Sequence, residues 1–303
     1  MSSGIVQTLE HDIYIIQLTK LMSVSSMTLY LYDFLLTHDD EVLFMWKAGF
    51  GLGKVVYFSV RYLTLFVMLF INIMLFLPQV SDEVCLSWIR FHWVTGVLIG
   101  FLTEIPLVLR IYALYNKNKQ ILALIVTCLI ATALSMLSIS ACIMRTEGAN
   151  WITLGAGSDM HMCVPTDVGN LYKVFWIPLL LDEFLLLCLA LLKWYQNLTV
   201  HGIQAAATNE MVKDSMLYFG TTFSFFLFSH LTWVIGGPLY IELPVGFAIT
   251  MGGIMSQRLL LNIRKYRWGQ DVEESQKSVS SFSGRAHRFA VSEDNIELES
   301  MGF

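Results

Sequence analysis

An all-α integral membrane fold, a seven-transmembrane-helix bundle with its N-terminus outside and its C-terminus in the cytoplasm, is predicted by three observations. Seven apolar stretches occupy most of the 303 residues, each about the 20 residues a helix needs to cross the hydrocarbon core. Hydrophobic residues make up 55% of the chain and charged residues 14%, too little polar surface for a soluble domain of this size to cover itself. Lysine and arginine also gather on one set of connections, the mark of the cytoplasmic side.

The predicted spans run approximately over residues 13–35, 55–77, 86–109, 121–143, 171–192, 216–237 and 239–261. The first is the most polar, carrying Lys20 and several Ser and Thr residues. Helices are expected because backbone N–H and C=O groups in lipid must be satisfied within the segment, and no barrel-like alternation competes. The N-terminus begins with uncharged and acidic residues, so a short exoplasmic tail over 1–12 is expected instead of a cleavable signal. One set of connections holds Lys47, Lys54, Arg110, Lys117, Lys119, Lys193, Lys213, Arg264, Lys265 and Arg267, whereas the other offers little beyond Arg90, Arg145 and Lys173. This asymmetry gives the orientation. The membrane domain is placed at 13–263 and a cytoplasmic tail at 264–303. That tail is rich in Ser, including Ser275, Ser278, Ser280, Ser281 and Ser283, and has too few apolar residues to build a core, so disorder is expected there. Arg264, Lys265, Arg267 and Trp268 read as an interfacial anchor.

Charged side chains inside a span cost on the order of 3 kcal/mol each, so each needs a partner, a water path or a task. Arg61 and Glu104 fall at similar depths on neighbouring spans and are candidates for an ion pair, the alternative being that Arg61 reaches lipid phosphates and Glu104 bonds to a neighbouring helix. Asp182 and Glu183 are adjacent, about 100° apart on their helix, and serve either helix-to-helix hydrogen bonding or cation movement. His92, His230 and Glu242 fall at comparable depths toward the outer half and are the candidate ligand pocket. Cys128 and Cys188 lie within spans as packing thiols. Cys85, before the third span, and Cys163, in the long loop 144–170, are the expected disulfide, with Cys142 a competing partner near the same face. Pro106, Pro178 and Pro244 are placed within spans, and Gly252 and Gly253 where a neighbouring helix could approach closely.

Several strings together carry a resemblance. They are Tyr32-Asp33, Leu36-Thr37, Glu41-Val42, Trp46-Lys47, Tyr57-Phe58 and Arg61-Tyr62 within 13–62. Further along come Leu109-Arg110-Ile111-Tyr112-Ala113-Leu114-Tyr115, Lys213-Asp214-Ser215-Met216-Leu217-Tyr218-Phe219 and Ser256-Gln257-Arg258-Leu259-Leu260-Leu261-Asn262. In order and spacing the chain resembles a basidiomycete fungal family of seven-span integral membrane proteins catalogued only as a domain of unknown function. The resemblance implies a seven-helix membrane fold and supplies no reaction, ligand or catalytic residue.

Several function classes are set aside. The seventh span contains no lysine for a retinal Schiff base. The histidines are too scattered to converge on a metal, and His161 with Cys163 makes no complete ligand set, so neither a metal nor a cofactor is expected, nor is enzyme activity. The placement of Cys85 and Cys163 resembles the disulfide shared by many G-protein-coupled receptors, yet no Asp-Arg-Tyr ends the third span and no Asn-Pro-x-x-Tyr closes the seventh. The expected function is receptor-like sensing of an exoplasmic ligand with a cytoplasmic signalling partner. The alternatives are a secondary transporter or proton- or cation-conducting protein using the intramembrane carboxylates, and a non-catalytic scaffold. The expected partner surface is the lipid bilayer, with the plasma membrane ahead of internal membranes and no nucleic acid involved.

Overall fold

A computed structural model describes residues 2–47, 49–78, 80–146, 148–153, 161–166, 171–201, 206–236 and 238–300. The chain is almost entirely helical. In order, the elements are α1 (Ser2–Leu36), α2 (His38–Glu41) running into a π-helical turn (Val42–Trp46), α3 (Leu52–Phe76), α4 (Asp82–Leu114) and α5 (Lys119–Thr146). A β-hairpin, β1 (Gly148–Thr153) and β2 (His161–Thr166), and a 3₁₀ turn (Leu171–Val174) precede α6 (Ile177–His201) and α7 (Ala206–Ile235). A second 3₁₀ turn (Pro238–Tyr240) leads into α8 (Glu242–Ser300).

Each of the seven predicted segments overlaps a helix. Four stretches, Leu52–Phe76, Asp82–Leu114, Lys119–Arg145 and Leu171–Gln196, are long and apolar enough to cross a membrane. Helix α5 argues most directly, since only 17% of its most apolar window is buried within the protein. Its outer face carries Leu124, Val126, Ile130, Leu134 and Leu137, all exposed, a stripe that water would disfavour and lipid tails accept. The structure is compatible with an integral membrane protein.

Two compact units divide the chain, one of Met1–His38 with Gly49–Leu260, the other of Asp39–Ala48 with Leu261–Phe303. In the first, an aromatic core joins Trp88, Trp93, Tyr172, Phe175, Trp176, Phe226 and Trp233 with Cys85 and Cys163. The Trp233 indole N–H donates to the Ile241 carbonyl at 2.9 Å, which ties the end of α7 to the start of α8. At the opposite end of α4, the Tyr115 hydroxyl donates to the Leu189 carbonyl of α6 at 2.9 Å. Gly253 is required by close approach: a Cβ there would lie 3.1 Å from Thr64 Cγ2 of α3 and 3.4 Å from Tyr30 of α1. In the second unit, Lys265 pairs with Asp40 and its ammonium lies 5.8 Å from the centre of the Phe44 ring. Trp268 meets the same ring edge-on at 6.4 Å, so two of the expected anchor residues are engaged within the protein.

The structure corrects the sequence reading at three places. The long loop contains an antiparallel hairpin in which Asn150 pairs with Val164 and Trp151 with Cys163. The intervening residues, Ala156 among them, lie outside those described. Pro178 and Pro244 occupy the first turns of α6 and α8, where the missing N–H removes no intrahelical bond, leaving Pro106 alone of the three inside a helix body. The tail expected to be disordered is helical as a continuation of α8 to Ser300. It contains no proline and many Glu, Gln, Lys and Arg residues, so the backbone can satisfy itself without a core.

Candidate functional site

Three buried polar clusters lie in the first unit, each on a different set of helices. The first borders a cavity. Helix α4 contributes His92, Trp93, Gly96 and Gly100, α7 contributes Phe226 and Trp233, and α8 contributes Glu242 and Gly252. The space between its atoms is about 750 Å³, a figure that includes the open solvent at its mouth. Its aromatic wall is tightly packed: Trp93 meets Phe175 at 4.9 Å and Trp233 at 5.7 Å between ring centres, and Trp176 stacks on Phe226 at 5.6 Å.

Within this wall His92 Nδ1 lies 3.1 Å from each carboxylate oxygen of Glu242, the two side chains being only 7% and 8% exposed. Position 92 brings the imidazole there because it lies one helical turn after Trp88, whose ring packs at 5.0 Å from it. Nε2 of His92 is buried with no hydrogen-bond partner among the described residues. His230, expected in the same pocket, is not among the residues lining it: Phe226 and Trp233 make the contribution of α7, and His230 Nδ1 is buried without a hydrogen-bond partner among the described residues.

The second cluster is acidic. Glu104 of α4 faces Glu183 of α6, with Asp182 near enough to act on both electrostatically. All three are buried, at 1%, 0% and 3% exposure, and apart from one another their carboxyl oxygens have no hydrogen-bond partner among the described residues. The anticipated pairing of Arg61 with Glu104 is therefore not formed. Glu104 continues the same face of α4 as the cavity-lining Gly100, and Glu183 the same face of α6 as Leu179, each one turn further on. Thr103, the residue before Glu104, itself lines the cavity, so the acidic cluster adjoins the cavity wall.

Arg61 belongs instead to the third cluster, which joins α1, α3 and α8. It is fully buried and donates to Thr37 Oγ1 at 2.7 Å, the Phe34 carbonyl at 2.7 Å and Gln257 Oε1 at 3.1 Å. Its guanidinium also lies 4.0 Å from the centre of the Phe34 ring. Tyr30 donates to the Arg61 carbonyl at 2.6 Å. Asp33 accepts from Gln257 at 3.3 Å and forms an ion pair with Arg258 at 2.5 Å. Neither Asp33 nor Arg258 is among the candidate intramembrane charges expected from the sequence. The available signal was that both sit in strings singled out for another reason, Tyr32-Asp33 and Ser256-Gln257-Arg258.

Cys85 and Cys163 are bridged, with Cα atoms 5.6 Å apart and a sequence separation of 78, and Cys142 takes no part in the bridge. The bridge holds β2 against the first turn of α4. Pro165, two residues beyond Cys163, lines the cavity, so the hairpin contributes to its wall. Among the described residues no group of three or more His, Cys, Asp or Glu side chains is arranged to hold a metal ion.

Fold and clusters together define a helical protein of integral-membrane character, with an apolar outer surface and buried polar groups between its helices. Residues 21–66 match the model of a family described as Family of unknown function (DUF6533). The match covers a minority of the chain and includes Asp33, Thr37 and Arg61. No curated protein matches the sequence.

Proposed function

We propose that the chain is a receptor-like seven-helix membrane protein, N-terminus exoplasmic and C-terminus cytoplasmic, of the fungal family its motifs resemble. It binds a small ligand in the cavity beside His92 and Glu242 and passes that event to a cytoplasmic partner. The observation that carries this reading is an apolar cavity containing a buried His92 and Glu242 pair and bordered by a disulfide-tied hairpin. Ligand pockets have this composition, a largely apolar lining with a few placed polar groups. The reading assigns no catalytic residue.

The orientation is tested by glycosylation. In Ala156→Asn the new side chain completes a sequon with Gly157 and Ser158, and a glycosidase-sensitive mass increase is expected. An inserted protein that acquires no glycan would reverse the orientation or change the number of spans. Signalling is tested by purifying the detergent-solubilised protein, and a consistent failure of any cytoplasmic protein to accompany it would count against a receptor.

A second reading is favoured by the acidic cluster. Three buried carboxyl groups without a basic partner among the described residues suit a proton- or cation-conducting pathway. The receptor reading expects reconstituted liposomes to show no more proton flux than protein-free ones. Flux that is present in the native protein and disappears in Glu183→Gln or Asp182→Asn would make the transporter the better description.

A further inference from the structure

We propose that the ligand of this cavity is a compact, largely apolar molecule with one hydroxyl group, anchored by that hydroxyl on His92 Nε2. The inference rests on the cavity's being a ligand site and specifies what the site selects.

The argument begins with what is already occupied. Both Glu242 oxygens lie 3.1 Å from His92 Nδ1, and a carboxylate only accepts hydrogen bonds, so the proton between them sits on Nδ1. This fixes the role of the other nitrogen. Nε2 accepts if the ring is neutral and donates if it is charged, and it is buried without a partner among the described residues. Of the other polar groups in the lining, Thr103 already donates to the Gly100 carbonyl at 2.8 Å and the Trp233 indole N–H to the Ile241 carbonyl, while the Trp176 indole N–H, which can only donate, is buried without a partner among the described residues and is a second group that a hydroxyl oxygen can satisfy. A buried nitrogen left unpaired costs roughly 1–3 kcal/mol, so the site favours a ligand that supplies its missing bond.

A hydroxyl both donates and accepts and therefore satisfies Nε2 in either state of the ring. An ammonium only donates, and the nearby anion that would stabilise it is already engaged by His92. A carboxylate would bring a second negative charge close to Glu242 in an apolar surrounding. The body of the ligand follows from the wall, where Trp93, Phe175, Trp176, Phe226 and Trp233 offer ring faces and edges and no further charge. Room for it exists at Gly96 and Gly100, where a Cβ would meet nothing within 4 Å.

The test uses three probes that differ in one group: para-bromobenzyl alcohol, para-bromotoluene and para-bromobenzylammonium. Bromine quenches indole fluorescence at short range, and three tryptophans line the cavity. Full-length protein in lipid nanodiscs is titrated with each probe. The alcohol is expected to quench saturably with an apparent Kd about tenfold below that of bromotoluene, the worth of one additional hydrogen bond. In His92→Phe that tenfold difference should vanish. In Gly100→Leu, whose side chain grows into open space, saturable quenching by every probe should disappear.

Equal affinity for the alcohol and bromotoluene in the native protein would overturn the hydroxyl preference while leaving the cavity as a ligand site. The same holds if the ammonium binds most tightly or if the preference survives in His92→Phe. Should His92→Phe fail to fold, the native ratio together with Gly100→Leu decides. If no probe quenches in a manner that Gly100→Leu abolishes, both the ligand class and the cavity's role in binding are overturned.

Discussion

Replacing Arg61 by leucine is expected to lower the stability of the folded protein by about 3 kcal/mol or more, among the largest single-residue effects in this chain. The guanidinium is fully buried and satisfies three acceptors at once, on α1 and α8, from its own position on α3. Leucine fills much of the volume but leaves the Phe34 carbonyl and Gln257 Oε1 without this donor, and each buried unmet acceptor costs roughly 1–3 kcal/mol. The measurement is the midpoint of thermal unfolding in detergent, followed by tryptophan fluorescence, which should fall by several degrees. Lysine at this position should recover less than half of the loss. Its single ammonium cannot reproduce the planar fork that reaches Thr37, Phe34 and Gln257 together. An Arg61→Leu protein unfolding at the native midpoint would show that the cluster contributes little.

Loss of the disulfide should be comparably severe. The bridge between Cys85 and Cys163 closes a loop with a sequence separation of 78, for which the chain-entropy account gives about 4.5 kcal/mol, with about 2–4 kcal/mol typical of disulfides. The paired variant Cys85→Ser with Cys163→Ser is expected to unfold at a distinctly lower temperature. It should also bind para-bromobenzyl alcohol more weakly, because Pro165 lies two residues from Cys163 and helps to line the cavity. If stability falls while binding is unchanged, the hairpin is a fastening and does not shape the site.

The helices were legible because lipid-facing segments need long apolar runs, a signal averaged over some 20 residues and insensitive to any one of them. Polar partnerships depend on helix rotation, which such an average does not carry. Arg61 and Glu104 match in depth, yet they lie in different clusters: Arg61 is engaged by Thr37, Phe34 and Gln257, and Glu104 faces Glu183. Asp33 was concealed by its span, whose apolar neighbours absorbed a single charge, and its partners Gln257 and Arg258 come more than 220 residues later. His92, His230 and Glu242 were legible as groups of comparable depth in the outer half of their spans. Depth alone did not separate His230, which is not among the residues lining the cavity, from the other two. The hairpin was hidden for another reason. Its strands are six residues each, too short for an alternation to stand out within a loop.

Cys85 and His92 are seven residues apart on α4, two turns along one face, so the covalent attachment of the hairpin and the imidazole of the cavity share a single rigid rod. This has a consequence for how a new molecule is made. While the Cys85 and Cys163 thiols are still reduced, the hairpin beside the cavity is not covalently held to α4. If the proposed binding requires the fastened hairpin, competence to bind arrives as a separate, oxidative step of maturation, and only the molecules that have completed it count toward the active pool.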